Sequence, residues 1–116
     1  MGDIALAVIG GTGVYKLADL QDVQAHDVDT RFGAPSGPVR VGLLGGQRVA
    51  FLARHGEGHS VPPHKINYRA NLQALKDLGA TRVLALNTVG GITDACGPRV
   101  LACPDQLIDY TWGRIS

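Results

Sequence analysis

Ile4-Ala5-Leu6-Ala7-Val8-Ile9-Gly10-Gly11-Thr12-Gly13 is the stretch on which the fold turns. Six apolar residues without a polar interruption read as a strand buried on both faces. The three glycines and one threonine that follow read as a tight turn where backbone can approach a ligand. Downstream, Pro35, Gly37 and Pro38 mark a loop after a mixed stretch. Val39 to Leu44 and Val49 to Ala53 read as strands joined through Gly45-Gly46 in a hairpin. Arg54-His55-Gly56-Glu57-Gly58-His59 is then a polar loop running on to Pro62-Pro63.

Asn67 to Leu78 carries the helical period: Ile66, Ala70, Leu75 and Leu78 recur near 3.6 residues, with Leu72 and Ala74 beside them. Asn67 suits an N-cap and Gly79 a C-terminal stop. Val83 to Leu86 is another buried strand, ending in Asn87-Thr88-Val89-Gly90-Gly91, and Leu107-Ile108 reads as a last short strand. Strand, strand, helix, strand predicts an α/β layer fold with parallel elements in its sheet. Tyr110, Trp112 and Ile115 are large apolar groups with no helix after them to cover them. That pattern is expected of a chain cut partway through a larger domain.

Composition bounds the function. The 116 residues hold 11 Lys plus Arg against 10 Asp plus Glu, a net charge of +1. This near-balance argues against a nucleic-acid-binding surface or an acidic tail. With 45% hydrophobic and 18% charged residues the chain is not disordered. Its 16 glycines are about twice the usual share, without a collagen-like period. No apolar run reaches bilayer length, the N-terminus lacks a basic secretory leader, and Leu6 stands where a myristoylation motif wants Ser or Thr. Cys96 and Cys103 have no zinc-pair spacing and read as small buried hydrophobes in a reducing, cytoplasmic setting.

Ligands of open α/β sheets sit outside the carboxyl ends of the strands, and three such ends share a chemistry here. Gly10-Gly11-Thr12-Gly13 offers backbone N–H groups and a hydroxyl. Arg54-His55 adds a planar cationic fork and a second donor. Asn87-Thr88-Val89-Gly90-Gly91 adds a further hydroxyl and more N–H groups. A tetrahedral oxyanion needs donors from several directions and a compensating charge, so phosphate or a phosphate ester is the expected ligand. Each piece alone has an ordinary structural reading: a strand-to-helix turn, a surface salt bridge for Arg54, a structural histidine for His55, a turn cap for Thr88. No Walker loop, complete dinucleotide fingerprint or nucleophile elbow is present. His59 and His64 flank a Pro-rich loop without an acidic partner, and no metal site is expected.

Three segments carry a family resemblance. Ile9-Gly10-Gly11-Thr12-Gly13, Leu52-Ala53-Arg54-His55-Gly56 and Pro63-His64-Lys65-Ile66-Asn67-Tyr68-Arg69-Ala70-Asn71 resemble the methylthioadenosine phosphorylase branch of the trimeric purine nucleoside phosphorylases. Within it, Val61-Pro62-Pro63-His64, Asn87-Thr88-Val89-Gly90-Gly91 and Asp105-Gln106-Leu107-Ile108-Asp109-Tyr110-Thr111-Trp112-Gly113 resemble the bacterial methylthioinosine phosphorylases most closely. The resemblance implies a three-layer α/β fold around a mixed, largely parallel sheet, with residues 1–116 the N-terminal part of a single domain. It implies phosphorolysis of a 5′-methylthio nucleoside in purine and methylthio-nucleoside salvage. Phosphate would be held by Thr12, Arg54, His55, Thr88 and the backbone of Val89. Phosphate is then a co-substrate; no cofactor or metal, nucleic acid or membrane is implied. The full-length protein would be a cytoplasmic homotrimer. The ribose-binding and base-reading residues would lie beyond Ser116, leaving only phosphate-positioning groups here. Arg99 stands where the family has glycine after Pro98, and a positive φ there would strain it by about 1 kcal/mol. Methylthioadenosine as substrate, or a non-catalytic phosphate- or nucleoside-binding fragment, are the alternative readings.

Overall fold

The computed structural model describes residues 3–11 and 19–114. Five strands form one sheet: β1 (Leu6–Gly10), β2 (Gln21–His26), β3 (Val39–Leu44), β4 (Gln47–Ala53) and β5 (Val83–Leu86). Their spatial order is β2-β3-β4-β1-β5. β1 pairs in parallel with both β4 and β5, while β3 runs antiparallel to both its neighbours, β2 and β4. The sheet is therefore mixed, with its parallel part around β1.

The uninterrupted apolar run has a physical cause in this order. β1 lies between two strands, and successive side chains alternate between two apolar clusters. Ala7 and Ile9 join Val39, Val41, Ala50 and Leu52 beneath the helix residues Ala74 and Leu75. Val8 packs on the opposite face with Val49, Phe51 and Ala53. The strand is Leu6–Gly10, with Ile4 held apart from it by a single bridge to Ala80. The β3–β4 turn uses Gly45 at φ +56° and Gly46 at φ +78°. Two consecutive left-handed residues match the twist of a two-residue hairpin.

Helix α1 (Tyr68–Asp77) begins as the sequence predicts, with the Asn67 side chain accepting from the Ala70 N–H at 3.1 Å. The same residue's Nδ2 donates to the Phe32 carbonyl at 2.7 Å, tying the preceding loop to the helix start. Gly79, at φ +106°, ends it. The buried face is Ala70, Asn71, Ala74 and Leu75. Leu72, expected beside that face, is 52% exposed; it sits two residues from both Ala70 and Ala74 and so points away from them. Asn71 takes the buried position instead, its Oδ1 accepting from the Ser36 N–H at 2.8 Å and its Nδ2 donating to Ser36 Oγ at 3.2 Å. A 3-10 turn at Pro63–Lys65 precedes the helix and another lies at Asp94–Cys96.

Several sequence expectations need correction. Among the described residues β5 pairs only with β1 and lies at the sheet edge, with Val83 and Leu84 nearly half exposed. Leu107 and Ile108 form no strand and are exposed. Cys96 and Cys103 are free thiols at the surface rather than buried hydrophobes. One cause underlies all three: among the described residues, nothing packs over the outer side of β5 or the segment after it. β2 carries no strand pattern in its sequence. It is polar and exposed, and a register shift between Gln21 and Gln24, with Asp22 at φ +51°, breaks its alternation. Among the described residues no helix is long and apolar enough to cross a membrane.

Candidate anion-binding site

The parallel trio β4-β1-β5 sets the site's geometry. Gly10 is the register partner of both Ala53 and Leu86, so three loops start side by side at one sheet edge. With neighbouring strands about 4.8 Å apart, the three ends span roughly 10 Å, the scale of one oxyanion and its donors. The backbone closes this edge: Arg54 N donates to Gly10 O at 2.8 Å, and Gly11 N to Leu86 O at 3.0 Å.

The Arg54 guanidinium lies across the start of the first loop. A Cβ on Gly11 would collide with Arg54 Nη2 and come within 2.9 Å of Arg54 Cζ and 3.0 Å of Leu86 O. Glycine at 11 leaves the room that the Arg54 guanidinium occupies. No left-handed φ is involved there. From its sequence the glycine turn is expected to offer free N–H groups. At Gly11 that is corrected, since its N–H is spent on Leu86 O and the residue's contribution is room for Arg54.

His55 is 7% exposed and fixed from two directions. Val61 N donates to His55 O at 2.9 Å, and Val61 O lies 2.9 Å from His55 Nδ1. A carbonyl oxygen only accepts, so Nδ1 carries the hydrogen. The His59 ring stands 4.9 Å away at 44°. Gly56, at φ +78°, turns the chain against Ser36, whose carbonyl would lie 3.1 Å from an added Cβ. The turn is clamped again by Glu57, which receives both Nε and Nη2 of Arg40 on β3, the latter at 2.9 Å. That paired hydrogen bond holds the Glu57 carboxyl below its ordinary value and raises the Arg40 guanidinium. The Arg54–His55 loop is thus tied to β3 through Glu57, closed on itself through Val61 and packed on Ser36 at Gly56.

Of the sequence-predicted site residues, Arg54 and His55 are brought to the edge beside Gly10-Gly11. Asn87, Thr88 and Val89 leave the same edge from β5 and are exposed. Thr12 and Gly13 lie outside the described residues. The Arg40–Glu57 clamp and the Val61 carbonyl were not foreseen. Arg40 carried a signal, a cation inside an otherwise apolar strand. The Val61 carbonyl carried none, because backbone acceptors leave no trace in side-chain patterns. Among the described residues no group of three His, Cys, Asp or Glu is placed to hold a metal ion.

A parallel strand edge carrying a guanidinium over a glycine turn makes this α/β sheet a candidate to hold an oxyanion. The chain belongs to the phosphorylase superfamily, whose family model matches residues 5–115. It is 82% identical over 113 residues to a probable S-methyl-5′-thioinosine phosphorylase of Xanthomonas campestris pv. campestris, covering 97% of this chain and 45% of that protein. It is 72% identical over 116 residues to a protein of the same name from Xylella fastidiosa, covering 100% of this chain and 49% of the relative. Among solved structures it is similar to a methylthioadenosine phosphorylase from Schistosoma mansoni in complex with adenine. The TM-score there is 0.67 at 42% identity, over 72% of this chain and 29% of the other. The chain spans about half the length of the curated relatives it matches.

Proposed function

We propose that the full-length protein catalyses phosphorolysis of S-methyl-5′-thioinosine to hypoxanthine and 5-methylthioribose 1-phosphate, serving purine and methylthio-nucleoside salvage as a cytoplasmic homotrimer. The observation that carries the reading is the Arg54 guanidinium seated over Gly11 where three parallel strand ends adjoin. The names of the 82% and 72% identical relatives support the same substrate class.

In this reading residues 1–116 are the phosphate half of one domain, and Thr12, Arg54, His55, Thr88 and the backbone of Val89 hold inorganic phosphate, which is a co-substrate; no cofactor or metal takes part. A phosphate oxygen bonds to the anomeric carbon as the bond from that carbon to the purine nitrogen breaks. The base leaves with the electron pair and is protonated. Positive charge develops on the sugar, so a fixed dianion beside it acts as nucleophile and counter-charge together. Catalysis is then positioning and preorganised electrostatics. Arg54 supplies the charge that keeps the anion in place, and the pinned loop keeps Arg54 in place.

The test is release of hypoxanthine from methylthioinosine by the full-length protein with and without phosphate. Strict dependence on phosphate is expected; equal release without it would replace the reading with a hydrolase. A second reading, methylthioadenosine as preferred substrate, is favoured by the likeness to the Schistosoma mansoni enzyme. Comparing kcat/KM for the two nucleosides decides between them.

A further inference from the structure

We infer that His55 meets the bound anion as a hydrogen-bond acceptor and so selects hydrogen phosphate over sulfate, a dianion of the same shape without a hydrogen. The inference rests on the reading that His55 touches phosphate, and deepens it. Its basis is the tautomer. Nδ1 donates to Val61 O at 2.9 Å, while the neighbouring Val61 N–H holds the His55 backbone, so the ring cannot turn over without losing a buried bond. With the hydrogen on Nδ1, a neutral imidazole offers a lone pair at Nε2 and nothing to donate. Nε2 has no hydrogen-bond partner among the described residues, and no described side-chain nitrogen or oxygen is buried without one, so Nε2 keeps access to a ligand.

Hydrogen phosphate carries one O–H. It donates that hydrogen to Nε2 while its bare oxygens face Arg54 and the backbone. Sulfate has only acceptors, so against a neutral ring it meets a lone pair with a lone pair. Sulfate is accommodated once the ring gains a proton and Nε2 becomes a donor. Its binding is therefore linked to one proton taken from solvent, and that of hydrogen phosphate is not. The other charged or titratable groups of this loop and its clamp are Arg54, His59 at 4.9 Å and Glu57 with its partner Arg40, and the next along the chain are His64 and Lys65 on the following 3-10 turn. The Ser36–Gly37 segment packed on Gly56 brings none.

The experiment is calorimetric titration of the full-length protein with inorganic phosphate and with sulfate across neutral to alkaline pH. Where phosphate is wholly hydrogen phosphate, the sulfate Kd should rise with pH, approaching tenfold per pH unit, while the phosphate Kd stays level. His55→Gln presents an amide that either donates or accepts, and should make sulfate binding independent of pH. His59→Gln should keep the wild-type slope. The comparison of two anions within one protein is insensitive to variants that fold less well, and the wild-type slopes need no variant. A constant phosphate-to-sulfate ratio across pH, or a slope that follows His59 instead of His55, overturns the inference and leaves the phosphate site standing. Failure of both anions to bind overturns the phosphate reading as well.

Discussion

Gly11→Ala is the sharpest perturbation of the proposed site, because the structure says where the added methyl goes. Gly11 has no left-handed φ, so alanine costs nothing through backbone strain. The methyl meets three atoms: Arg54 Nη2, Arg54 Cζ at 2.9 Å and Leu86 O at 3.0 Å. The Leu86 carbonyl is sheet backbone and can give a few tenths of an ångström. The guanidinium is the end of a flexible side chain and swings away. Alanine at 11 therefore acts on phosphate by evicting Arg54. Hydrogen bonds to a charged group are worth about 1.5–3 kcal/mol, so the phosphate Kd should weaken about 10- to 150-fold. The cost to folding is about 1–3 kcal/mol, the range for an added methyl in a packed site.

A double-mutant cycle separates eviction from general damage. Arg54→Ala alone should weaken phosphate by a similar factor and raise KM for phosphate far more than for nucleoside. With Arg54 already gone, Gly11→Ala has nothing left to evict, and its effect on phosphate should fall to near unity. The coupling between the two changes is then close to the full effect of either. Calorimetry with inorganic phosphate on the full-length protein reads all four corners of the cycle. Additive losses, or a Gly11→Ala protein that binds phosphate like wild type, would refute the assignment of Arg54 to the strand-edge site.

Three other expectations concern the scaffold, each read as the unfolding midpoint of the full-length protein. Asn71→Ala leaves the Ser36 N–H without its buried acceptor and should cost about 1–3 kcal/mol; a change within error would mean water replaces the amide. Arg99, at φ +66°, pays about 1–2 kcal/mol for a left-handed conformation, so Arg99→Gly should stabilise by roughly 0.5–1 kcal/mol after glycine's own entropy is counted. Glu57→Gln removes an exposed but bidentate pair and should cost about 0.5–1 kcal/mol at neutral pH. Because the Glu57 carboxyl is depressed in the fold, its contribution is complete above the ordinary glutamate range and lost as pH falls through the folded value. The wild-type advantage over Glu57→Gln should shrink on acidification, and a gap that widens would reverse the sign of this linkage.

The sequence was most informative where one element's surroundings are supplied by nearby chain. β1 declared itself because a strand packed over on both faces must be apolar on both, and α1 because Asn67 and Gly79 mark its ends chemically. Arg99 was also legible: a turn that wants glycine forces the same backbone on whatever replaces it, and the φ of +66° agrees. Legibility failed where burial depends on a distant partner. β5 and Leu107-Ile108 have the apolar character of interior strands, yet apolar character expresses only a demand for cover. Ile92, Leu101, Tyr110 and Trp112 carry the same demand and are more than four-fifths exposed. Nothing within the described residues meets it. β2 failed for the opposite reason, since a bulged, exposed edge strand has no face to bury and therefore no alternation to read.

The site divides along the same line. That Arg54 would stand among three strand ends followed from chain order and the rule that ligands gather at carboxyl edges, because the parallel pairing of β4, β1 and β5 does the positioning. How each residue acts did not follow. His55 is expected from its type to donate, and a backbone carbonyl six residues on takes the Nδ1 hydrogen. The reading of Gly11 as a donor assumed an open loop, and a second strand's carbonyl takes that hydrogen. In both cases a main-chain acceptor sets which hydrogen the residue has left to offer. At an anion site this distinction is chemical, because a pocket made only of donors cannot tell phosphate from sulfate. One fixed acceptor among them can, and the Val61 carbonyl is what turns His55 into that acceptor.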